Sequence, residues 1–457
     1  MRMSFRESAS LLIVSALILL AVLFGAKAEP HLAILSSLVV VAAYAMLRGI
    51  TFEHLEESMI QGIREAIKPI LIMLLVGMTI AVWMMSGAVP TLLFFGLETL
   101  SAQWFAPSAL LIAMLVSTFT GSSFTTVGTV GVALMGISIA LGVNPALAAG
   151  AIISGACFGD KMSPLSDTTN FAPGILNLSV FSHIRFMMGT TIPAITLTFI
   201  IFFLFGQGSG DVDRSLVVST QNELARLFSL SPWTLLSPLL VMVLAFRKTA
   251  VIPTLVLGVL SGLALTGIVQ GNWNIGNWMS VIQNGLSLET SNETVASIVN
   301  RGGLQSMMWS VSLVMLALAF GGILRGLGVI DVLIERTVSK LHRDGSIISS
   351  AALSSIGVNF VVGEQYLSIL LPGQAFKSIF AERRIDRRYL SRALEDGGTL
   401  INPLVPWGVS GAFFASTLGV PVTSYAPFAF FLLLSPLFTF ILAYTRPTKE
   451  QEVKQAA

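Results

Sequence analysis

The sequence predicts an all-α, polytopic membrane protein, a helical bundle of about 10–13 spans with two inverted-topology repeats and discontinuous or hairpin helices. Three observations predict it. Of 457 residues, 54% are hydrophobic and only 11% charged, against about 25% charged in soluble domains, so water is not the main solvent. Apolar runs close to the roughly 20 residues that cross a hydrocarbon core of about 30 Å recur from end to end. Two further stretches, 145–182 and 392–421, are too rich in Gly, Pro, Ser, Thr and Asn to be ordinary spans.

The lipid bilayer is therefore the first expected partner. A net charge of +2 leaves no electrostatic footprint for nucleic acid, and none is expected to bind. The single cysteine, Cys157, permits neither an intramolecular disulfide nor a thiolate metal cage and reads as a small buried residue. His31, His54, His183 and His342 are scattered without ligand spacing. There is no HExxH, no GxSxG with a buried base and no selectivity-filter repeat, so neither an enzyme, a cofactor nor a channel is expected.

Apolar runs predict helices over 9–26, 31–48, 69–86, 106–120, 124–142, 186–206, 232–246, 250–269, 304–324, 346–362, 364–380 and 424–444. The first run follows Arg2 and Arg6 and ends at Ala26-Lys27-Ala28, in imitation of a cleaved signal peptide. A second run follows at once, as a helical hairpin requires, and the first helix is read as retained. Residues 51–68 set apolar side chains at helical spacing opposite charges, the pattern of an interfacial segment or of a solvated connector. Cations sort the loops: Arg48, Arg64 and Lys68, then Arg247 and Lys248, then Lys377, Arg383, Arg384, Arg387, Arg388 and Arg392 mark a cytoplasmic side shared with the N-terminus. The stretches 207–231 and 286–303 are polar, poor in Lys and Arg, and suit the outer side; the Asn292-Glu293-Thr294 sequon carries no weight. The chain then divides into an N-terminal hairpin with its interfacial segment (1–68), a first repeat (69–206), linker helices and outer loops (207–303), a second repeat (304–444) and a cytoplasmic tail (445–457).

At an ungapped offset of 239 residues, Ser163-Pro164-Leu165 falls on Asn402-Pro403-Leu404 and Gly159 on Gly398. Loop charge is the stronger sign. The connection 142–144 before the first polar stretch is uncharged, whereas its counterpart 377–392 holds six cations. After the stretches the asymmetry reverses, with His183 and Arg185 behind the first and the neutral 422–427 behind the second. Equivalent loops then lie on opposite sides, the mark of an inverted repeat whose interrupted helices meet near the midplane.

Non-helical backbone persists at membrane depth only where protein or a water-filled cavity satisfies it, so these stretches must line something. In GACFGDKMSPLSDTTNFAPG (155–174), Asp160, Lys161, Ser163, Ser166, Asp167, Thr168, Thr169 and Asn170 gather the carboxylates, hydroxyls and amide that hard cations take as ligands. Ionised side chains at the bilayer centre cost about 2.5 kcal/mol or more each, so Asp160, Asp167, Glu364, Glu395 and Asp396 need a compensating role, and a cation pathway supplies one. A proton and a sodium ion competing for the same oxygens give obligatory exchange. The candidate sodium ligands are Asp160, Ser163, Asp167, Thr168, Thr169, Asn170 and Glu364, and the candidate proton or substrate groups are Asp160, Lys161, Asp167, Glu364, Glu395, Asp396 and Asn402. Two local alternatives stand beside this: Asp160 pairing with Lys161, and Glu395 and Asp396 serving as cytoplasmic partners of Arg392. The run STFTGSSFTTVGTVG (117–131) is either close helix packing or a cation-lining face, and the 239 offset sets its Thr125 opposite Glu364 of NFVVGEQY (359–366).

GDKMSPLSDTTN (159–170) and SRALEDGGTLINPLVPWG (391–408) resemble the NhaC-type sodium/proton antiporter family, and the resemblance runs through most of the chain. It implies a bacterial inner-membrane carrier of the inverted-repeat ion-transporter group that exchanges cytoplasmic sodium for external protons, with a scaffold domain, a moving transport domain and a homodimer. Sodium is then substrate, and no cofactor is needed. Malate/lactate exchangers and amino-acid carriers are similar to the same family. Sodium- or proton-coupled exchange of a small organic acid or amino acid is therefore the alternative, with Lys161 or helix N-termini meeting a carboxylate. The acidic lean of the membrane-depth charges favours a cation alone.

Overall fold

A computed structural model describes residues 3–206, 214–338, 341 and 343–445; Arg2, His342 and the tail from Arg446 lie outside the described residues. An N-terminal hairpin, α1 (Phe5–Leu20) and α2 (Pro30–Leu47), is followed by α3 (Phe52–Arg64). The first half continues as α4 (Ile67–Met85), α5 (Ala88–Thr99), α6 (Phe105–Thr120), the joined α7 (Ser123–Thr126) and α8 (Val132–Ala140), α9 (Pro145–Met162), α10 (Asp167–Ile175) and α11 (Val180–Gly206). A connecting set follows: α12 (Arg214–Leu227), α13 (Leu236–Phe246), α14 (Val251–Gln270), α15 (Ile275–Asn284) and α16 (Glu293–Val299). The second half is α17 (Leu304–Gly326), α18 (Val329–Val338), α19 (Asp344–Val362), α20 (Gln365–Glu382), α21 (Arg387–Gly398), α22 (Val409–Leu418), α23 (Val422–Tyr425) and α24 (Phe430–Thr445). Among the described residues nine helices are long and apolar enough to cross a bilayer, or up to 11 if each of two bent pairs is one span.

The twelve apolar runs coincide with helices. Apolarity does not reveal α5, α12, α15, α16 or α18, which are short or carry polar faces and so lack a spanning signature. The supposed outer loops are thus partly helical. The stretch 145–182 is also less broken than its composition suggests, because α9 is one continuous helix and the chain leaves helical form between Met162 and Asp167 and again briefly after Ile175. Its small residues serve packing. Gly155 and Gly159 seat α9 on α6 so closely that a Cβ would overlap Leu110 O and Thr118 N. Gly159→Ala is expected to force the two helices apart and cost about 1–3 kcal/mol; thermal unfolding in detergent reads this, and an unchanged midpoint would contradict the packing. Cys157 is buried in the same helix.

The N-terminal hairpin is pinned locally and at a distance. Ser4 and Glu7 form a capping box on α1, Glu7 also pairs with Arg48, and His31 of α2 reaches Trp309 O and Ser312 Oγ of α17, each at 3.0 Å. The amphipathic α3 packs along α17, where Gly62 and Ser58 lie against Gly322 and Gly326.

Helix ends in the two halves recur at a constant spacing of 242 residues, not 239. Gly121 closes α6 and Gly363 closes α19, both at positive φ, 68° and 75°, where a side chain would be strained. The next residue, Ser122 or Glu364, accepts a hydrogen bond from the N–H three residues on. Asn144 and Asp386 cap α9 and α21 alike, and Gly397 meets Ala352 O of α19 just as Gly155 meets Leu110 O of α6. Asn177 and Gly419, again at positive φ, follow α10 and α22. The SPL/NPL match is thus a coincidence of letters. Pro164 falls on Pro406, Asp160 on Asn402, and the counterpart of Glu364 is Ser122 instead of Thr125. Contacts between the halves exchange in the same sense: α10 packs on α20 while α22 packs on the α7–α8 segment, and α11 packs on α21 while α24 packs on α9.

Candidate ion-binding site

A cavity of about 760 Å³ opens beside the first interruption, with Ser122, Thr125, Asp160, Thr168, Glu364 and Tyr366 in its wall; of the second interrupted stretch only Val409 lines it. Asp160 sits in the last turn of α9 and is buried. One carboxylate oxygen accepts from the Ser123 hydroxyl at 2.5 Å and from the Ser123 N–H at 3.3 Å, and the other from Ser166 Oγ at 2.6 Å. Ser123 opens α7 and Ser166 caps α10, so the positive ends of two helices converge on this carboxylate.

The predicted ligand cluster divides in two. Asp160, Asp167, Thr168 and Glu364 line the cavity. Ser163, Thr169 and Asn170 hold the turn instead: Ser163 Oγ accepts from Leu165 N–H at 3.2 Å, Thr169 Oγ1 donates to the Asp160 and Lys161 carbonyls at 2.8 and 3.0 Å, and Asn170 Nδ2 donates to Pro164 O and Ser166 O at 2.9 and 2.7 Å. Thr169 thereby satisfies carbonyls that the end of α9 would leave orphaned, and Asn170 does the same for carbonyls of the turn.

Asp167, unlike Asp160, is not buried. Its side chain is 65% exposed at the cavity rim, 3.3 Å from Lys68, which is 62% exposed. As the first residue of α10 it is carried outward past the Ser166 cap. An exposed pair contributes about 0–1 kcal/mol, so Lys68→Ala is expected to leave thermal stability nearly unchanged. Asp167→Asn is expected to alter apparent sodium affinity only a few-fold, less so at high salt. Loss of all exchange in Asp167→Asn would move the binding site to the rim.

Glu364 is buried at the N-cap of α20, where its side chain accepts from Leu367 N–H at 2.8 Å. Asn402 lies behind the cavity wall: Oδ1 accepts from Ser410 N–H at 2.8 Å, and Nδ2 donates to Asn359 Oδ1 at 2.9 Å and Gly363 O at 3.1 Å. Each half therefore supplies one buried carboxylate to the cavity, at non-equivalent positions, Asp160 facing an amide counterpart and Glu364 a serine counterpart.

Lys161 turns away from Asp160. Its Nζ is 2.5 Å from Asp396 Oδ1 and 2.7 Å from Ser435 Oγ, and neither Lys161 nor Asp396 is exposed at all. Ser435 and Thr439 also donate to Asp396, at 2.8 and 2.5 Å. This pair ties α9 and α21 to α24. It replaces both local alternatives, because Asp160 has other partners and Asp396 is buried in the bundle, away from any loop. Glu395 is equally buried beside it, and Arg392 stacks on Phe186 and Tyr389 at 5.0 and 4.9 Å.

Sequence reasoning held Ser123 and Tyr366 only as members of the runs 117–131 and 359–366, without singling them out, and missed Ser435 and Thr439. Ser123 had a legible signal, since Gly121-Ser122 after an apolar run is a helix stop followed by a helix start. The hydroxyls of α24 had none, as they match an ordinary apolar helix. Residues 155–446, which include both interruptions, match the Na+/H+ antiporter family. The chain belongs to that family. It is 55% identical over 427 residues to the Na(+)/H(+) antiporter NhaC of Alkalihalophilus pseudofirmus, covering 93% of this chain and 92% of that one. It is 45% identical over 448 residues to the Na(+)/H(+) antiporter NhaC of Bacillus subtilis, covering 97% and 99%. It is 35% identical over 407 residues to the malate-2H(+)/Na(+)-lactate antiporter of Bacillus subtilis, covering 88% and 87%. In this Na+/H+ antiporter family member the matched region opens at Gly155, the glycine that seats α9 on α6, and runs past both broken stretches to the end of α24.

Proposed function

We propose that this antiporter exchanges sodium ions for protons at Asp160, with Glu364 as the second carboxylate of the same cavity. The observation that carries the reading is a buried carboxylate, held by two helix N-termini, that lines a cavity. A sodium ion entering there finds the Asp160 oxygens and, after rotation of their protons, the lone pairs of Ser123, Ser166 and Thr168. A proton on Asp160 removes the charge that holds the ion. One site then takes either cation, and transport of one returns the other.

The recurring caps support two inverted repeats. Arg387, the first residue of α21, donates to Leu176 O just past α10 at 3.1 Å, so α21 sets out from the side where α10 ends. Arg301, ahead of α17, donates to Leu418 O at the end of α22 at 3.3 Å. Lys68 and Lys248 both line the cavity, which makes its mouth the cytoplasmic side by the distribution of cations. The N-terminus is then inside, sodium enters from the cytoplasm and protons from outside.

A second reading has one observation in its favour. A cavity of about 760 Å³ falls in the roughly 300–1,000 Å³ range of sites for small organic ligands, and Lys68 and Lys248 at its rim would meet a carboxylate. Proteoliposomes with an internal pH dye separate the two. Sodium that moves protons with no organic acid present supports cation exchange; sodium that moves none, with labelled malate, lactate or tyrosine exchanging instead, supports the second reading.

A further inference from the structure

A second group of titratable side chains lies outside the cavity, where α11 meets α21. His183 is fully buried, with Nδ1 2.8 Å from the Ser391 hydroxyl. Its Nε2 faces Glu395 Oε2 at 4.0 Å, and both side chains are shut off from solvent. Among the described residues Nε2 has no hydrogen-bond partner, and the one hydroxyl near the Glu395 carboxyl is that of Thr399, the residue that closes α21, which makes no well-formed bond to either oxygen. Buried polar groups are almost always paired, and a patch of unpaired atoms on facing helices marks a strain reservoir or a functional group. The neighbouring Lys161 is already neutralised by Asp396, so Glu395 has no lysine of its own. An isolated carboxylate cannot stay charged in such a place at acceptable cost, and the imidazole across the gap is the group able to trade a proton with it.

We propose that His183 and Glu395 form a second proton-binding site, distinct from the Asp160 cavity, in which one proton is shared between imidazole and carboxyl and whose occupancy sets the pH response of exchange. With the proton on Glu395 the couple is neutral; with it on His183 the two are oppositely charged and drawn together; with it gone a negative charge remains. The groups that face the couple are Asp160 and Lys161 from α9 and Asp396 from α21. Arg392, one turn before Glu395, stacks on Phe186 and Tyr389, while α11 and α24 add only the Thr190, Ser435 and Thr439 hydroxyls to the Lys161–Asp396 pair. Lys161 follows Asp160 in the chain. A change of charge at Glu395 therefore reaches the cation site through the Lys161–Asp396 pair and the end of α9, across a medium that screens poorly.

The test is sodium-driven proton flux against pH in proteoliposomes for wild type, Glu395→Gln, His183→Gln and Ser391→Ala. The first two variants are expected to shift the half-maximal pH by about one unit or flatten the profile, with the apparent sodium affinity at the optimum within about twofold. Ser391→Ala, which removes one hydroxyl from Nδ1 and leaves the backbone intact, is expected to shift the profile too and decides the matter if Glu395→Gln does not fold. Infrared difference spectra should show a protonated-carboxyl C=O band that titrates in wild type and is missing in Glu395→Gln. Wild-type profiles in all three variants would overturn the proposal, and so would a tenfold loss of sodium affinity at every pH, which would make Glu395 a cation ligand. Loss of exchange in Asp160→Asn bears on the cavity alone, so the two assignments fail separately.

Discussion

Asp160→Asn is expected to reduce sodium-driven proton movement to the background of empty vesicles at every pH, in protein that still folds. The loss follows from charge. An amide offers sodium one carbonyl oxygen and no anion, and it takes up no proton in the working range. Folding survives because the second half already holds an amide at the equivalent position, where Asn402 accepts from Ser410 N–H and donates to Gly363 O. In the variant the new carbonyl can keep the Ser123 contacts while its amine turns to Ser166, whose hydroxyl can accept. Stability is expected to fall by only about 1–2 kcal/mol. Retained exchange in a folded Asp160→Asn protein would place the chemistry elsewhere.

Asp396→Asn is expected to be the most destabilising single change in the bundle. It strips Lys161 of its counterion in a place neither side chain shares with solvent, and breaking a buried pair by removing one partner costs about 3–5 kcal/mol. Thermal unfolding of detergent-solubilised protein should show it as a lowered midpoint and reduced yield. The double variant Lys161→Met with Asp396→Leu removes both charges, and replacing a whole buried pair by apolar groups is often neutral, so it should recover most of the loss. A single variant costing less than about 1 kcal/mol, or a double variant as unstable as the single, would mean the pair is not what joins α9, α21 and α24.

The spans of this chain are legible because lipid imposes a length and a composition on each, so runs such as 31–48 and 304–324 declare themselves as α2 and α17. The site is legible only in outline. The stretch around Asp160 stood out because Asp, Lys, Ser and Thr do not belong in a span without a reason. The same composition misled over α9, where Gly155 and Gly159 look like helix breakers yet are what lets α9 lie against α6. Exposure along the chain was not readable either: Asp167 follows Asp160 by seven residues, but the Ser163–Ser166 turn carries it to the rim. Lys161 finds Asp396 across 235 residues, a pairing that no local pattern announces. The 239-residue offset of matching letters differs by three from the 242-residue spacing at which helix caps recur, because caps are fixed by backbone geometry and letters are not.

Proton release on sodium binding tests the central claim most directly. Purified protein in weak buffer with a pH-sensitive dye is mixed with sodium chloride, using choline chloride as the control. Wild type is expected to release up to about one proton per sodium bound, and Asp160→Asn to release none. An Asp160→Asn protein that releases as many protons as wild type would contradict the account.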